Sequence, residues 1–362
     1  MSKIPLRLSQ RTWLAMVAQV VLRLLDPGKW TDCPWFIEMV GKPGMVVNLG
    51  GYLRPWDGSG TFKGVKVICL TDYAKKGMVT VSAGASSNYD AGASMADLAS
   101  GYFDKSSIIL AGLSQVDFSG MERRSLHLTI TSGIGPGASL GTSAAVLVGL
   151  LRVFCGPDYD SHKLAMAAVD AELNIAGKTT GNQDHIAASF GSSNRPSAAQ
   201  RIEIANFPEA KVTPITVGPE VRAVINEGGV ITFIGSHDSS DEHRKARERI
   251  ESGQGIARDA FDSMIASAKA AEQSLIEDDA AAFGKALDQT TEAHRLVHPE
   301  LIGFLAQGIM ESAKQSGSIG AMLPGAGGEG GSVFTLFPGR KEADAFVRAT
   351  DDLQHYEVRL AG

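Results

Sequence analysis

Apolar and polar positions alternate with a period of two over residues 65–70, 78–82 and 126–131, the last reading Leu-His-Leu-Thr-Ile-Thr, and predict half-buried strands. Helical spacing of apolar residues predicts helices over 143–154 and 162–175, with a loop at 177–183 leading into a short helix over 184–190. Around 192–200 the chain turns to Ser, Asn, Pro and Ala, which places a domain boundary there, dividing it into 1–200 and 201–362. Beyond it, the unbroken apolar run 229–235 predicts a buried strand. Ala- and charge-rich stretches predict helices at about 242–274, 279–295 and 299–316, then a strand over 332–337 and a final helix over 341–353. Near the start, Lys3, Arg7 and Arg11 precede an apolar run over 13–22 that is too short to span a bilayer and has no small-residue cleavage site. It reads as an amphipathic or buried helix. Strands and helices mixed without regular βαβ alternation predict an α+β fold.

Composition narrows the function. The 362 residues suffice for one large or two ordinary domains, and 44% hydrophobic with 20% charged residues is an ordinary globular balance. A net charge of −6 lacks the basic stripe that a nucleic-acid surface needs. With no segment long enough to cross a membrane, the expectation is a cytoplasmic protein with a small-molecule partner, and a homodimer is compatible with it. Cys33, Cys69 and Cys155 are widely spaced and odd in number, so they read as free thiols.

The 41 glycines concentrate attention on two clusters. The first is Gly133-Ile-Gly135-Pro-Gly137-Ala-Ser139-Leu-Gly141-Thr142-Ser143-Ala-Ala, which enters a predicted helix. Glycines let a loop turn its N–H groups inward, and the helix adds unsatisfied N–H groups with a partial positive charge, a combination suited to phosphate. The hydroxyls of Ser139, Thr142 and Ser143 can bind phosphate oxygens or a magnesium ion. No Gly-Lys-Ser/Thr occurs, so this is not a Walker loop. Gly137-Ala-Ser139-Leu-Gly141 also fits the Gly-x-Ser-x-Gly elbow of serine hydrolases, but an elbow needs a strand running directly into the serine, and here Pro136 intervenes. The second cluster, Pro324-Gly-Ala-Gly-Gly-Glu-Gly-Gly331, precedes a strand and so does not fit a dinucleotide fingerprint, which opens a helix.

Together these segments resemble the GHMP small-molecule kinases. Ser139-Leu-Gly-Thr-Ser-Ala-Ala145 is similar to the family's nucleotide-phosphate motif, and Gly325-Ala-Gly-Gly-Glu-Gly-Gly331 to its C-terminal glycine motif. Arg23-Leu-Leu-Asp-Pro-Gly-Lys-Trp-Thr31-Asp32-Cys-Pro34 resembles the first motif. Within the family, Trp-Thr-Asp-x-Pro and Leu-Gly-Thr-Ser look most like the L-fucokinase and heptose-phosphate kinase group. The resemblance implies a GHMP kinase-like two-domain fold, ribosomal-protein-like in its N-terminal half and ferredoxin-like in its C-terminal half, with ATP in the cleft. It implies transfer of a γ-phosphoryl group to a hydroxyl, the anomeric one by resemblance, of a sugar, sugar phosphate or cyclitol. It assigns Asp184 as catalytic base and Arg23 beside the transferred phosphoryl group. It gives Asn48, Gly135, Gly137, Ser139, Gly141, Thr142, Ser143, Gly327 and Gly328 to the nucleotide, Asp32, Gly325 and His237 to the acceptor, and Ser143 and Glu172 to Mg2+.

Elementary chemistry supports these roles. A sugar hydroxyl is a poor nucleophile, and a carboxylate in hydrogen-bond reach can accept its proton as the new bond forms. Cationic groups and loop N–H groups stabilise charge on the phosphoryl oxygens, and magnesium prefers hydroxyl, carboxylate and phosphate oxygens. Several positions depart from the pattern. Lys29 and Trp30 stand where many relatives have glycines, and Pro324 and Glu329 interrupt the last motif. Asp238 stands where the resembled group has an arginine, which favours an uncharged sugar or cyclitol because a carboxylate repels a phosphate. Two readings from other classes remain: the Ser139 hydrolase, and a non-catalytic sugar or nucleotide sensor of the same fold. A decarboxylase of the family fits less well, given Thr-Asp-x-Pro. His294 and His298 stand four apart without a third ligand and read as surface or capping residues, and the charge run 241–249 reads as a solvated helix face.

Overall fold

The computed structural model describes residues 3–5, 15–72, 77–83, 89–121, 123–237, 239–253 and 257–362. In chain order, the first half contains β1 (Ala15–Val20), β2 (Leu22–Leu25), α1 (Pro34–Val40), β3 (Gly44–Pro55), β4 (Val65–Asp72), β5 (Met78–Ala83) and β6 (Tyr89–Ser94). There follow α2 (Met95–Ser100), α3 (Ile108–Ser114), β7 (Ser125–Ser132), α4 (Thr142–Cys155), α5 (Ser161–Asp170) and α6 (Gln183–Gly191). A π-helical turn, Ala171–Ile175, continues α5. The second half contains β8 (Ala199–Asn206), β9 (Glu209–Ile215), α7 (Pro219–Gly228), β10 (Gly229–Gly235), α8 (Ser239–Glu251), α9 (Ala257–Glu277) and α10 (Ala280–Val297). After a 3-10 turn, Pro299–Leu301, come α11 (Phe304–Gln315), β11 (Gly320–Met322), β12 (Gly331–Leu336), α12 (Arg340–Ala349) and β13 (Gln354–Leu360). This is the α+β architecture that the pattern predicts.

The strands form two sheets. One runs β1-β4-β7-β5-β6, with β5 and β7 parallel and the other pairs antiparallel. The other runs β11-β12-β10-β13-β3-β8-β9, with β2 paired on β3. Its spine is β3, buried from Gly44 to Gly51, which meets β8 at one end and β13 at the other. Residues 200 and 201 fall inside β8. Helix α4 is the central buried helix: Leu147, Val148, Leu150 and Leu151 are fully enclosed, and it packs on β1 and β4 and against α3, α5 and α6. Such burial of large aliphatic side chains, each worth ~1.5–3 kcal/mol, fixes where the N-terminus of α4 points.

Three expectations change. The apolar run near the start is extended, not helical, over its described part: Ala15–Val20 and Leu22–Leu25 are strands, each paired. A short run of apolar residues satisfies both periods, and the unpaired edge of β4 decides in favour of the strand. The stretch 242–274 is two helices, α8 and α9. His294 is fully buried rather than on the surface, whereas His298 does cap, its Nδ1 accepting from the Glu300 N–H at 3.1 Å. The charge run of α8 is largely solvated, though Glu242 and Ala246 face inward.

Candidate active site

A cleft of about 1180 Å³ opens where the loop after β7, the N-termini of α4 and α6 and the loops after β2 and β10 converge. Its floor begins with the glycine stretch. Gly133, Gly135, Gly137, Ser139, Gly141, Thr142 and Ser143 all line it. Gly141 is the N-cap of α4, with φ +63, and no side chain among the described residues caps the helix, so the first-turn N–H groups are left for a ligand. A Cβ at Gly141 would also come within 3.0 Å of the Asp184 carboxyl carbon, so glycine lets the helix end and this carboxylate lie together. Ser143 is exposed, and the Thr142 hydroxyl is buried without a hydrogen-bond partner among the described residues.

Opposite the helix end, Asp184 lies in the first turn of α6 and Arg23 on β2. Arg23 Nε donates to Asp184 Oδ1 at 2.7 Å, and a second nitrogen lies 3.3 Å from Asp26 Oδ2. Arg23 is 2% exposed and Asp184 27%, so the guanidinium is walled in while the carboxylate reaches the cleft. Burial alone would lower the Arg23 pKa, but Asp184, Asp26 and Asp32 outweigh it and hold the cation charged. Asp26 in turn accepts from the Gly325 N–H at 3.0 Å, which ties the C-terminal glycine loop to the same ion cluster. Lys29, fully buried, donates to the Leu323 carbonyl at 2.5 Å, and burial pulls its amine down to about 7.

Asp32 lines the cleft next to this cluster, and its Oδ2 accepts from the Gln183 N–H at 3.2 Å. Burial pushes its carboxyl up to about 7; the Gln183 N–H opposes the shift, and Asp184 and Asp26 add to it. A Cβ at Gly181 would stand 1.8 Å from Asp32 Oδ2, so the strand of loop there can pass only as glycine. Glu172 also lines the cleft, in the π-helical turn, and pairs with the fully buried His185 at 2.8 Å. From the second half, His237 lies 2.6 Å through Nε2 from Ser139 Oγ, while Ser236 Oγ donates to the Pro136 carbonyl at 2.8 Å.

Arg23, Asp32, Asp184, Glu172, His237 and Gly325 therefore gather in one cleft with the glycine loop. Asn48, Gly327 and Gly328 do not line it. The Asn48 amide is buried and donates to the Gln183 carbonyl at 2.6 Å, bracing α6 from below. Gly328 donates to the Leu301 carbonyl at 2.7 Å and anchors its loop to the 3-10 turn. Asp238 lies outside the described residues. Sequence reasoning missed Asp26, His185 and His243; the Arg-x-x-Asp spacing of residues 23 and 26 was the one available signal.

Residues 107–192, which supply α4, Glu172 and Asp184, match the family described as GHMP kinases N terminal domain. That segment carries a GHMP kinase N-terminal domain. The galactokinase of Mycobacterium tuberculosis is 27% identical over a stretch that covers 60% of this chain and 66% of that protein, so the match spans a little under two thirds of the galactokinase. Among solved structures, a D-glycero-D-manno-heptose 1-phosphate kinase from Bacteriodes thetaiotaomicron superposes with a TM-score of 0.67 at 17% identity, covering 96% of each chain. The Methanococcus jannaschii mevalonate kinase gives a TM-score of 0.67 at 14% identity over 98% of this chain and all of that one. Both share the fold over 96–98% of this chain, beyond the matched N-terminal segment.

Proposed function

We propose that this protein is an ATP-dependent kinase that transfers the γ-phosphoryl group to a hydroxyl of a sugar or sugar-like polyol, the anomeric hydroxyl by family resemblance. The observation that carries this reading is the Arg23–Asp184 pair, 2.7 Å apart, at the uncapped N-terminus of α4 in a single cleft. The similarity to a galactokinase and the shared fold with a heptose phosphate kinase support a sugar acceptor.

Each residue then has a task. The glycine-loop and first-turn N–H groups of α4 hold the nucleotide phosphates. Asp184 accepts the proton of the acceptor hydroxyl, and Arg23, besides orienting that carboxylate, offsets charge on the transferring group. Asp32 fixes an acceptor hydroxyl. The donor set suits magnesium: Ser143 and the Thr142 hydroxyl, which has no partner among the described residues, lie at the helix end, and the Glu172 carboxylate shares their cleft. Among the described residues no three His, Cys, Asp or Glu side chains cluster to hold a metal alone, so phosphate and water oxygens would complete the shell. When bound, magnesium neutralises phosphate charge. A coupled ADP-release screen with ATP and magnesium over hexoses, heptoses, their phosphates, uronic acids and cyclitols tests the reading. Acceptor-dependent ADP release is expected; none, with ATP still bound, would sink it.

A serine hydrolase has one observation in its favour, the 2.6 Å contact of Ser139 Oγ with His237 Nε2. Against it, β7 ends at Ser132 and α4 begins at Thr142, so Ser139 is not at a strand-to-helix elbow. Labelling of Ser139 by a serine-directed reagent, unaffected by ATP, would reverse the choice. The intact Arg23–Asp184 pair argues against a sensor without activity.

A further inference from the structure

The motif resemblance gives Ser139 to the nucleotide and His237 to the acceptor, yet in the fold these two side chains meet each other. Ser139 Oγ and His237 Nε2 share a hydrogen bond of 2.6 Å between the two halves of the chain. Two further bonds join the same segments. Ser236 Oγ donates to the Pro136 carbonyl at 2.8 Å, and the His237 N–H donates to the Gly137 carbonyl at 3.4 Å. The loop after β10 is therefore fastened to the glycine loop at Pro136, Gly137 and Ser139.

Both sides are shaped for this approach. Strand β10 loses register with β12 between Phe233 and Gly235, and an irregularity of this kind re-aims the chain that follows it. On the other side, Ser139 has φ +60, a left-handed backbone that a non-glycine residue keeps only where its surroundings hold it. Its neighbours Ala138 and Leu140 are buried, and the Leu140 carbonyl accepts from the Arg23 N–H at 3.2 Å. The C-terminal glycine cluster leaves the room: a Cβ at Gly330 would stand 2.7 Å from His237 Cβ, and one at Gly331 would collide with Ser139 Oγ.

The glycine loop needs such a tie. Residues 133–141 include Gly133, Gly135, Gly137 and Gly141, and glycine loses more backbone freedom on ordering than any other residue. A loose loop would have to be ordered as the phosphates arrive, which weakens binding, whereas N–H groups already aimed at them bind without that loss. Neither side chain has to touch the ligand for this. With no strand-to-helix elbow at Ser139, the contact is accounted for as a tie and not as a nucleophile with its base.

We propose that Ser139 and His237 are positioning residues, a clasp that holds the glycine loop against the second half of the chain with its N–H groups already set for the nucleotide phosphates. This rests on the kinase reading for the identity of the ligand. The test titrates the full chain with a non-hydrolysable ATP analogue and magnesium, comparing the natural chain with Ser139→Ala, His237→Ala, the double variant and His237→Gln, whose amide keeps a hydrogen-bonding group near Nε2. Each alanine variant should weaken nucleotide binding about 3- to 10-fold, the scale of one hydrogen bond. The double variant should be no weaker than either single, since one bond is lost only once. His237→Gln should recover most of the affinity, and the acceptor KM at saturating ATP should not move in any of them. Ser139→Gly, which suits φ +60 and so keeps the fold, should weaken the nucleotide by a similar factor without lowering the melting temperature, a split that a merely structural role would not give. Losses that multiply in the double variant, an acceptor KM raised by His237→Ala alone, or unchanged affinity in Ser139→Gly overturn the clasp and leave the kinase reading standing. A natural chain that binds no nucleotide removes both.

Discussion

Arg23 and Asp184 are chemically interdependent. The guanidinium is enclosed and needs its two carboxylates, while Asp184 is held toward the cleft by the bond it accepts. Asp184→Asn should keep the shape and nucleotide binding but lower kcat by ~10²- to 10⁴-fold, the usual worth of a positioned base. ADP-release kinetics beside a nucleotide titration will show it, and an undiminished kcat would remove Asp184 as the base. Buried Asp32 and Lys29 should also leave opposite marks on stability. Asp32, raised from 3.8 to about 7, holds its proton in the folded chain, so its contribution is full below pH ~4 and is lost as pH rises to 7. Lys29, lowered from 10.5 to about 7, contributes fully above pH ~10.5 and loses that as pH falls to 7. Melting temperature against pH should therefore fall between 4 and 7 relative to Asp32→Asn, and rise between 7 and 10.5 relative to Lys29→Met. Parallel curves would refute the assignments. Arg23, Asp32, Glu172 and Asp184 were legible in the sequence because each sits in a motif with its own spacing. The setting of Trp30 was not, since its stacking partner His243 lies on α8, far along the chain.

At the scale of elements, the site depends on close approaches that only missing side chains permit. Gly181→Ala would drive a methyl into Asp32 Oδ2. Overpacking of this kind costs ~1–3 kcal/mol, so a lowered melting temperature and a raised acceptor KM are expected together. A variant with both unchanged would show that the loop has room the structure does not. Here too the sequence spoke unevenly. Strands β4, β5 and β7 and helix α4 were readable because each has one wet and one dry side, or a long apolar stripe. Strand β3 was not read as a strand: it is buried on both faces, contains Gly50 and Gly51, and so has neither alternation nor a distinctive composition. The strand at 15–20 was misread for a related reason, because its polarity is set by pairing with β4 rather than by its own residues.

For the molecule as a whole, the cleft should act as a ligand-dependent clamp. ATP with magnesium should raise the melting temperature in a concentration-dependent way, by about 2.7 kcal/mol of added stability at a hundredfold excess over Kd. Glu172→Gln should shift the magnesium titration of activity to ~10-fold higher concentration, and an identical titration would exclude Glu172 from the metal. The α+β class and the resemblance to GHMP kinases were visible from the sequence, but the way the halves join was not, because strand pairing between distant segments leaves no local trace. Strand β13 lies between β10 and β3, with Arg359 opposite Tyr52, about 300 residues apart in sequence. Loops that long close slowly. Once residues 1–200 have left the ribosome, Arg23, Asp32 and Asp184 are all free, yet the partner of β3 along residues 51–55 has still to emerge. Until then the emerging half exposes a bare strand edge, and its safe maturation depends on that edge being kept from other chains.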